Sequence, residues 1–281
     1  MNKIAVLGAG KMGAGIAQVA AQAGFKVIMR DLQMPLVEDG LKTIDLNLER
    51  LIKSGELKPE KKSEILSLIY GTVDLSDLKD ADLVIEAVVE NMAVKKQIFA
   101  ELDNICPPHT ILATNTSTLS ITEIATSTQR HDQVIGIHFF NPVPCIKLVE
   151  LVRGMETSDD TVKKTQGFIE RIGKEHVLLN RESPGFIVNR ILLPYINEAV
   201  WLYGEGIDKE TIDQAMILGA NMPIGPLKLA DIIGLDTLYS IMLVFYNEFR
   251  DTKYRPHTCL STMVRAGYYG RKSGQGFYNY E

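Results

Sequence analysis

The feature that most constrains the fold is a glycine-rich turn between an apolar run and a helix of small residues. Gly8-Ala9-Gly10-Lys11-Met12-Gly13 fits the pattern G-x-G-x-x-G, with the apolar run Ile4–Leu7 before it and a helical pattern at 14–23 after it. In such a unit the first glycine permits a tight turn, the second lets the backbone approach a pyrophosphate, and the third lets helix and strand pack closely. The segment therefore predicts a dinucleotide-binding turn.

An acidic residue follows at the position that this turn requires. The next apolar run, Val27–Met29, leads to Asp31, 18 residues past Gly13. A carboxylate there would accept hydrogen bonds from the adenosine ribose hydroxyls. A 2′-phosphate at that place would bring like charges together, at a cost of about 1–4 kcal/mol near a protein surface. We therefore expect NAD(H) rather than NADP(H), although Arg30 beside Asp31 would offset part of the repulsion.

Strand and helix patterns alternate over the first 180 residues. This alternation predicts a Rossmann-like, mostly parallel sheet with helices on both faces. Residues 34–70 differ, because two helical patterns follow one another there without a strand, and such an insertion projects from the sheet. The predicted strands are Ile4–Leu7, Val27–Met29, Leu83–Ala87, Thr110–Ala113, Val134–Ile137, Leu148–Val152 and Val177–Leu179.

The predicted secondary structure changes after Ser183-Pro184-Gly185, because only helical patterns follow. We therefore predict an α/β domain over 1–182 and an all-helical domain over 183–281.

Composition argues against several other classes of protein. A formal charge of −5 disfavours a broad nucleic-acid surface. Apolar stretches fall short of the roughly 20 residues of a membrane span, and the N-terminus does not read as a signal peptide. Three scattered cysteines without C-x-x-C pairing favour reduced thiols in a cytoplasmic protein and give no metal site.

One histidine stands out among the five. His138 ends the apolar run Val134–Ile137 at the carboxyl edge of the predicted sheet, where doubly wound folds bind ligands. Twelve residues on, Glu150 lies inside the run Leu148–Val152, and a carboxylate within a strand is costly unless it is paired. A pair of these two groups would fix the imidazole tautomer for acid–base catalysis. A core histidine with a structural partner is the alternative.

Two further polar groups are candidates for the same site. Ser117 follows the strand that ends near Ala113, and Asn189 lies one turn into the first helix of the second domain. Both would face a substrate if their segments pack toward the sheet edge. Helix capping is the alternative for each residue.

These segments resemble the NAD-dependent L-3-hydroxyacyl-CoA dehydrogenase family and, within it, the bacterial enzymes that act on 3-hydroxybutyryl-CoA. The resemblance covers the whole chain. It rests on the blocks GAGKMG at 8–13, LVIEAVVEN at 83–91, NTSTLSI at 115–121, IGIHFFNPVP at 135–144, KLVELVRG at 147–154, SPGFIVNR at 183–190, IGPLKLAD at 224–231 and GRKSGQGFY at 270–278.

The resemblance implies reversible oxidation of (S)-3-hydroxybutyryl-CoA to acetoacetyl-CoA, with the second domain forming a homodimer. His138 matches the general base and Glu150 its carboxylate partner. Ser117 and Asn189 match residues that hold the reacting oxygen and help to place the nicotinamide. Positions that match cofactor contacts are Glu90, Lys95, Asn141 and Lys272.

The helical insertion matches the family's CoA-binding arm, with Asn47, Arg50 and Lys53 as the substrate contacts. Here the chain departs from the pattern, because Ser54 and Glu56 stand where lysines are common. Three alternatives stay open: a β-hydroxyacid dehydrogenase with a lysine base, a non-catalytic structural homologue, and a dehydrogenase of longer acyl chains. The first leaves His138 and Glu150 unexplained, and the second would be expected to lose them.

Overall fold

The computed structural model describes residues 1–280, which divide into a first unit, Met1–Ser183, and a second that begins at Pro184. The first unit holds an eight-stranded sheet in the order β3-β2-β1-β4-β5-β6-β7-β8. Its strands are β1 (Lys3–Leu7), β2 (Lys26–Arg30), β3 (Ile69–Thr72), β4 (Leu83–Glu86), β5 (Ile111–Thr114), β6 (Val134–Phe139), β7 (Leu148–Arg153) and β8 (Glu175–Leu179).

Neighbouring strands run parallel except at one place, where β6 and β7 are antiparallel. Strands β7 and β8 are parallel to each other and therefore run opposite to the other six. The order reverses beside β1, which pairs with β2 on one side and β4 on the other. A doubly wound sheet opens a ligand crevice at such a point, beyond the carboxyl ends of its strands. The predicted fold class is confirmed.

Helices cover the sheet, and their ends follow local chemistry. Helix α2 begins with Pro35 in its first turn, where a missing N–H costs nothing, and Gly55, at φ +81°, follows its end. Ile44 and Leu48 lie on its buried face, as the period-3.6 pattern predicts. The helices of the first unit are α1 (Lys11–Gln22), α2 (Met34–Lys53), α3 (Pro59–Ser67), α4 (Met92–Ile105), α5 (Ile121–Ala125) and α6 (Asp159–Arg171).

Strand β3 corrects the expectation that the insertion at 34–70 contains no strand. It comes directly after α3 and forms an edge of the sheet, paired only with β2. Tyr70 is 57% exposed and Gly71 packs against Val37 of α2. A four-residue edge strand with a glycine and an exposed side chain lacks the apolar run that identifies a buried strand.

The second unit is helical and has its own apolar core, which includes Leu193, Leu238 and Phe245. No single helix within residues 1–280 has both the length and the apolar composition to cross a membrane, although α9 and α10, bent by 96° at their junction, pass that test as a pair. The helices of the second unit are α7 (Val188–Gly204), α8 (Lys209–Gly219), α9 (Pro226–Ile233), α10 (Leu235–Phe249) and α11 (Thr258–Arg265).

Candidate active site

The glycine-rich turn lies between β1 and α1, at the point where the strand order reverses. Gly8 has φ +95°, a conformation that favours glycine, and a Cβ on it would lie 2.5 Å from the Ala87 carbonyl oxygen. A Cβ on Gly13 would lie 1.8 Å from the Gly8 oxygen. Apart from Gly10 itself and its two chain neighbours, no heavy atom of residues 1–280 lies within 4 Å of the position that a Gly10 Cβ would take. The middle glycine therefore has open space beside it for a ligand.

The Asp31 carboxylate closes this turn from the end of β2. Its Oδ2 accepts a hydrogen bond of 2.7 Å from the Ala9 N–H, and its Oδ1 accepts one of 2.7 Å from Leu32. The neighbouring Arg30 points its Nε to the Val73 carbonyl at 3.1 Å. Each Asp31 oxygen keeps a lone pair for a further donor, as a ribose contact requires.

His138 and Glu150 are opposite partners in the antiparallel pairing of β6 with β7. The imidazole Nδ1 lies 2.7 Å from Glu150 Oε2, and both side chains are buried. The Phe140 ring packs against the imidazole at 4.4 Å between centroids. Because Nδ1 faces the carboxylate, the Glu150 contact fixes the orientation of the imidazole ring.

A second buried charge cluster lies at the ends of β4 and β5. Glu86 is fully buried and accepts from the Lys95 ammonium at 2.7 Å and from the Thr114 hydroxyl at 2.7 Å. Lys95, on α4, is only 1% exposed and lies 3.3 Å from the Glu90 carboxylate. A buried ion pair stays favourable only when further hydrogen bonds satisfy it, as they do here.

The Glu90 carboxylate organises the turn that carries Ser117. Its Oε1 accepts from the Ser117 N–H at 3.0 Å, from the Ser117 hydroxyl at 3.4 Å and from the Thr116 hydroxyl at 2.5 Å. Burial acts to raise the pKa of Glu90, but Lys95 and the hydrogen bonds from Thr116 and Ser117 outweigh it, so that the pKa is lowered. The capping role considered for Ser117 belongs to Ser120, whose hydroxyl accepts from the Glu123 N–H at the start of α5.

The predicted substrate contacts of the arm lie along α2. Asn47 donates to Gln18 Oε1 of α1 at 3.1 Å, and the Arg50 guanidinium lies 3.4 Å from Asn47 Oδ1. Arg50 and Lys53 are exposed. The Ser54 hydroxyl bonds the Glu56 carboxylate at 2.7 Å. The arm therefore presents two exposed cations and one amide that is hydrogen-bonded to α1.

Three further predicted contacts are Asn141 in the first unit and Asn189 and Lys272 in the second. Asn141 is exposed, two residues past the end of β6. Asn189 lies in the first turn of α7, in the second unit, and its substrate contact stays a prediction. Lys272, also in the second unit, makes an ion pair of 2.6 Å with Asp236, and its cofactor contact likewise stays a prediction.

Comparison with known proteins decides the family. Residues 3–183 match the family profile described as "3-hydroxyacyl-CoA dehydrogenase, NAD binding domain", and residues 185–280 match "3-hydroxyacyl-CoA dehydrogenase, C-terminal domain". The chain belongs to the 3-hydroxyacyl-CoA dehydrogenase family.

Individual relatives are similar over their full length. A protein named 3-hydroxybutyryl-CoA dehydrogenase from Clostridioides difficile is 52% identical, with 99% of each chain covered. A probable 3-hydroxybutyryl-CoA dehydrogenase from Bacillus subtilis is 50% identical, over 100% of this chain and 98% of its own length. The crystal structure of (S)-3-hydroxybutyryl-CoA dehydrogenase from Ralstonia eutropha matches with a TM-score of 0.96 and 47% identity, covering 100% of this chain and 99% of that one.

The residues present fit the NAD(H) that this dehydrogenase family binds. Helix α1 begins after Gly10 without a side-chain cap and without an acidic residue in its first turn, so its first N–H groups can hold a pyrophosphate. The open space at Gly10 lies beside those groups, and Asp31 lies at the end of the neighbouring strand.

Sequence reasoning missed Glu86, although the signal was present. Glu86 ends the apolar run of β4, as His138 comes near the end of β6, and a carboxylate in a buried strand requires partners. Its partner Lys95 lies nine residues later, on α4. Lysines on helices are normally exposed, so the burial of Lys95 could be inferred only from Glu86.

Proposed function

We propose that this chain interconverts (S)-3-hydroxybutyryl-CoA and acetoacetyl-CoA with NAD(H). The observation that carries the proposal is the buried His138–Glu150 pair, 2.7 Å between Nδ1 and Oε2, on the sheet edge that also carries the glycine-rich turn. The full-length relatives named 3-hydroxybutyryl-CoA dehydrogenase support the substrate class.

His138 is the general base for the 3-hydroxyl proton. Its Nε2 accepts that proton when the alcohol is oxidised and returns it when the ketone is reduced. Glu150, fixed to Nδ1, keeps the imidazole in one tautomer and stabilises the imidazolium, an arrangement worth roughly 10²–10⁴ in rate. Bound NAD(H) supplies the exchange of a hydride with substrate C3.

The remaining residues of the first unit position the reactants. Ser117, held by Glu90, offers its hydroxyl to the substrate oxygen beside the imidazole. The N–H groups that follow Gly10 hold the pyrophosphate, and Asp31 holds the adenosine ribose. Arg50 and Lys53 attract the phosphates of CoA from the exposed face of α2.

The second unit is the substrate and dimerisation domain in this proposal, and the protein works in the cytoplasm as a homodimer. Large apolar side chains that are exposed on its helices support self-association: Ile191 is 68% exposed, Leu218 73% and Ile232 49%. Three free cysteines are consistent with a reducing compartment.

Initial rates of cofactor oxidation test the proposal. Purified protein is given acetoacetyl-CoA with NADH or with NADPH, and the series is repeated with a 3-ketoacyl-CoA of eight or more carbons. We expect faster turnover with NADH and with the four-carbon substrate. Equal rates with NADPH would overturn the argument from Asp31, and faster turnover of the longer chain would overturn the choice of substrate.

A further inference from the structure

We propose that Lys174 is a positioning residue for the cofactor site, because its ammonium holds the loop 140–147 against helix α1. The inference rests on the proposed NAD(H) function and assigns a task to a lysine that is neither a proposed cofactor contact nor a member of the His138–Glu150 pair. The loop joins β6, which carries His138, to β7, which carries Glu150.

The contacts of Lys174 are short and directed. It lies between α6 and β8, after Gly173 at φ +74°, and is 8% exposed. Its Nζ donates to the carbonyl oxygens of Val143 and Ile146, each at 2.6 Å. Burial lowers the pKa of this ammonium, and the Cys145 thiol on the loop opposes that shift. A cation that loses hydration is retained here by two convergent carbonyl groups.

Lys174 attaches the middle of the loop to its surroundings, while at the end of the loop the Glu175 N–H donates to the Lys147 carbonyl at 3.0 Å. The N–H groups of Cys145 and Ile146 both bond back to the Pro142 carbonyl, so they stay within the loop. The carbonyls of Val143 and Ile146 are the groups through which Lys174 ties it to the α6–β8 connection.

The opposite side of the loop touches the dinucleotide helix. A Cβ on Gly15 of α1 would lie 2.8 Å from Val143 Cβ and 3.6 Å from the Pro144 ring, so the two backbones meet at a glycine. Asn141, a proposed cofactor contact, precedes Val143 by two residues. Lys174 therefore fixes the distance between the pyrophosphate turn and the loop that carries Asn141.

A loop released by loss of Lys174 would adopt its binding conformation for only part of the time. The apparent Kd for a ligand rises by the inverse of that fraction, while saturating ligand restores the ordered state. Loss of Lys174 should thus weaken NADH binding more than it slows turnover at saturating NADH. A role in overall folding alone would instead lower the melting temperature and the active fraction, and leave the Kd of the folded protein unchanged.

The test compares Lys174→Met with Lys147→Met, an exposed lysine on the same loop. NADH Kd is measured by fluorescence titration, and kcat and the KM for acetoacetyl-CoA at saturating NADH. We expect a rise in Kd of about tenfold or more for Lys174→Met, since two hydrogen bonds to a charged group are lost, with kcat and that KM within about threefold. Lys147→Met should match the wild type.

An unchanged Kd in folded Lys174→Met overturns the inference and leaves the proposed function standing. Wild-type protein that binds no NADH would overturn both. If Lys174→Met does not fold, Lys174→Gln decides, because its shorter amide side chain cannot reach both carbonyl groups and leaves no apolar end beside them. A rise in NADH Kd of about threefold or more then supports the inference, and an unchanged Kd overturns it.

Discussion

The His138–Glu150 pair and the helical arm, both proposed substrate contacts, differ in how they are held. The pair is buried on two hydrogen-bonded strands, and its 2.7 Å contact is set by strand register. Arg50 and Lys53 project from α2 into solvent, where ion pairs contribute about 0–1 kcal/mol and salt screens them. This difference predicts that the two regions affect different kinetic constants. Loss of the pair should lower kcat, whereas loss of the arm's cations should raise KM.

The largest effect is expected at His138. We expect His138→Gln to lower kcat at least 100-fold, because the proton of the 3-hydroxyl loses its acceptor, while NADH still binds. Stopped-flow or steady-state rates with acetoacetyl-CoA, together with NADH fluorescence titration, measure the two quantities. His131→Gln is the matched control, since His131 lies 3.4 Å from Glu156 in an exposed pair. Turnover within threefold of wild type would refute the assignment of the base.

An intermediate effect is expected at Glu90, which orders the Ser117 turn from the second charge cluster. Glu90→Gln removes a charged acceptor and should lower kcat about tenfold. The folded state lowers the pKa of Glu90 below the ordinary 4.5, so ionised Glu90 stabilises the fold above that pH. That stabilisation is lost as the pH falls through the folded-state pKa.

Thermal unfolding of wild type and Glu90→Gln, measured from pH 7 down to pH 3, therefore tests this stabilisation by ionised Glu90. We expect Glu90→Gln to melt below the wild type at pH 7 and the gap to narrow below pH 4.5. Glu101→Gln, an exposed glutamate on α4, provides the control and should keep the wild-type pH profile. A constant gap across the whole range would contradict the assigned direction of the pKa shift.

The smallest effect is expected on the arm. Replacing Arg50 and Lys53 together by alanine should raise the KM for acetoacetyl-CoA about 3–10-fold and leave kcat unchanged, because both cations act on remote phosphates. The increase should shrink in 0.5 M salt, where the screening length is about half of its physiological value. Lys164→Ala, on the surface of α6, serves as control. An increase that is insensitive to salt would argue against an electrostatic contact.

The sequence predicted buried strands better than the edge of the sheet. The runs around Ile4, Val84 and Ile135 are apolar because both faces of those strands are covered, and such runs are visible without a structure. Strand β3 has one neighbour and an exposed Tyr70, so the covering that produces an apolar run is missing.

The residues of the candidate site likewise fall into those that the sequence pattern revealed and those that it did not. Glu150 was recognisable because it interrupts an apolar run, and its facing partner His138 lies on the preceding strand. The ion pair of Lys272 with Asp236 joins separate elements 36 residues apart, and spacing along the chain carries no signal of such a contact. The contacts of Lys174 with two carbonyl groups depend on backbone atoms that every residue possesses.

The antiparallel register of β6 and β7 makes the His138–Glu150 pair tolerant of one kind of mutation and intolerant of another. Side chains alternate between the two faces of a strand, so deleting one residue within β7 would turn Glu150 to the face away from the imidazole. A substitution can weaken the pair by degrees, whereas a frame-preserving deletion in the strand abolishes it at once. We therefore expect active variants of altered length to carry their insertions and deletions outside these two strands.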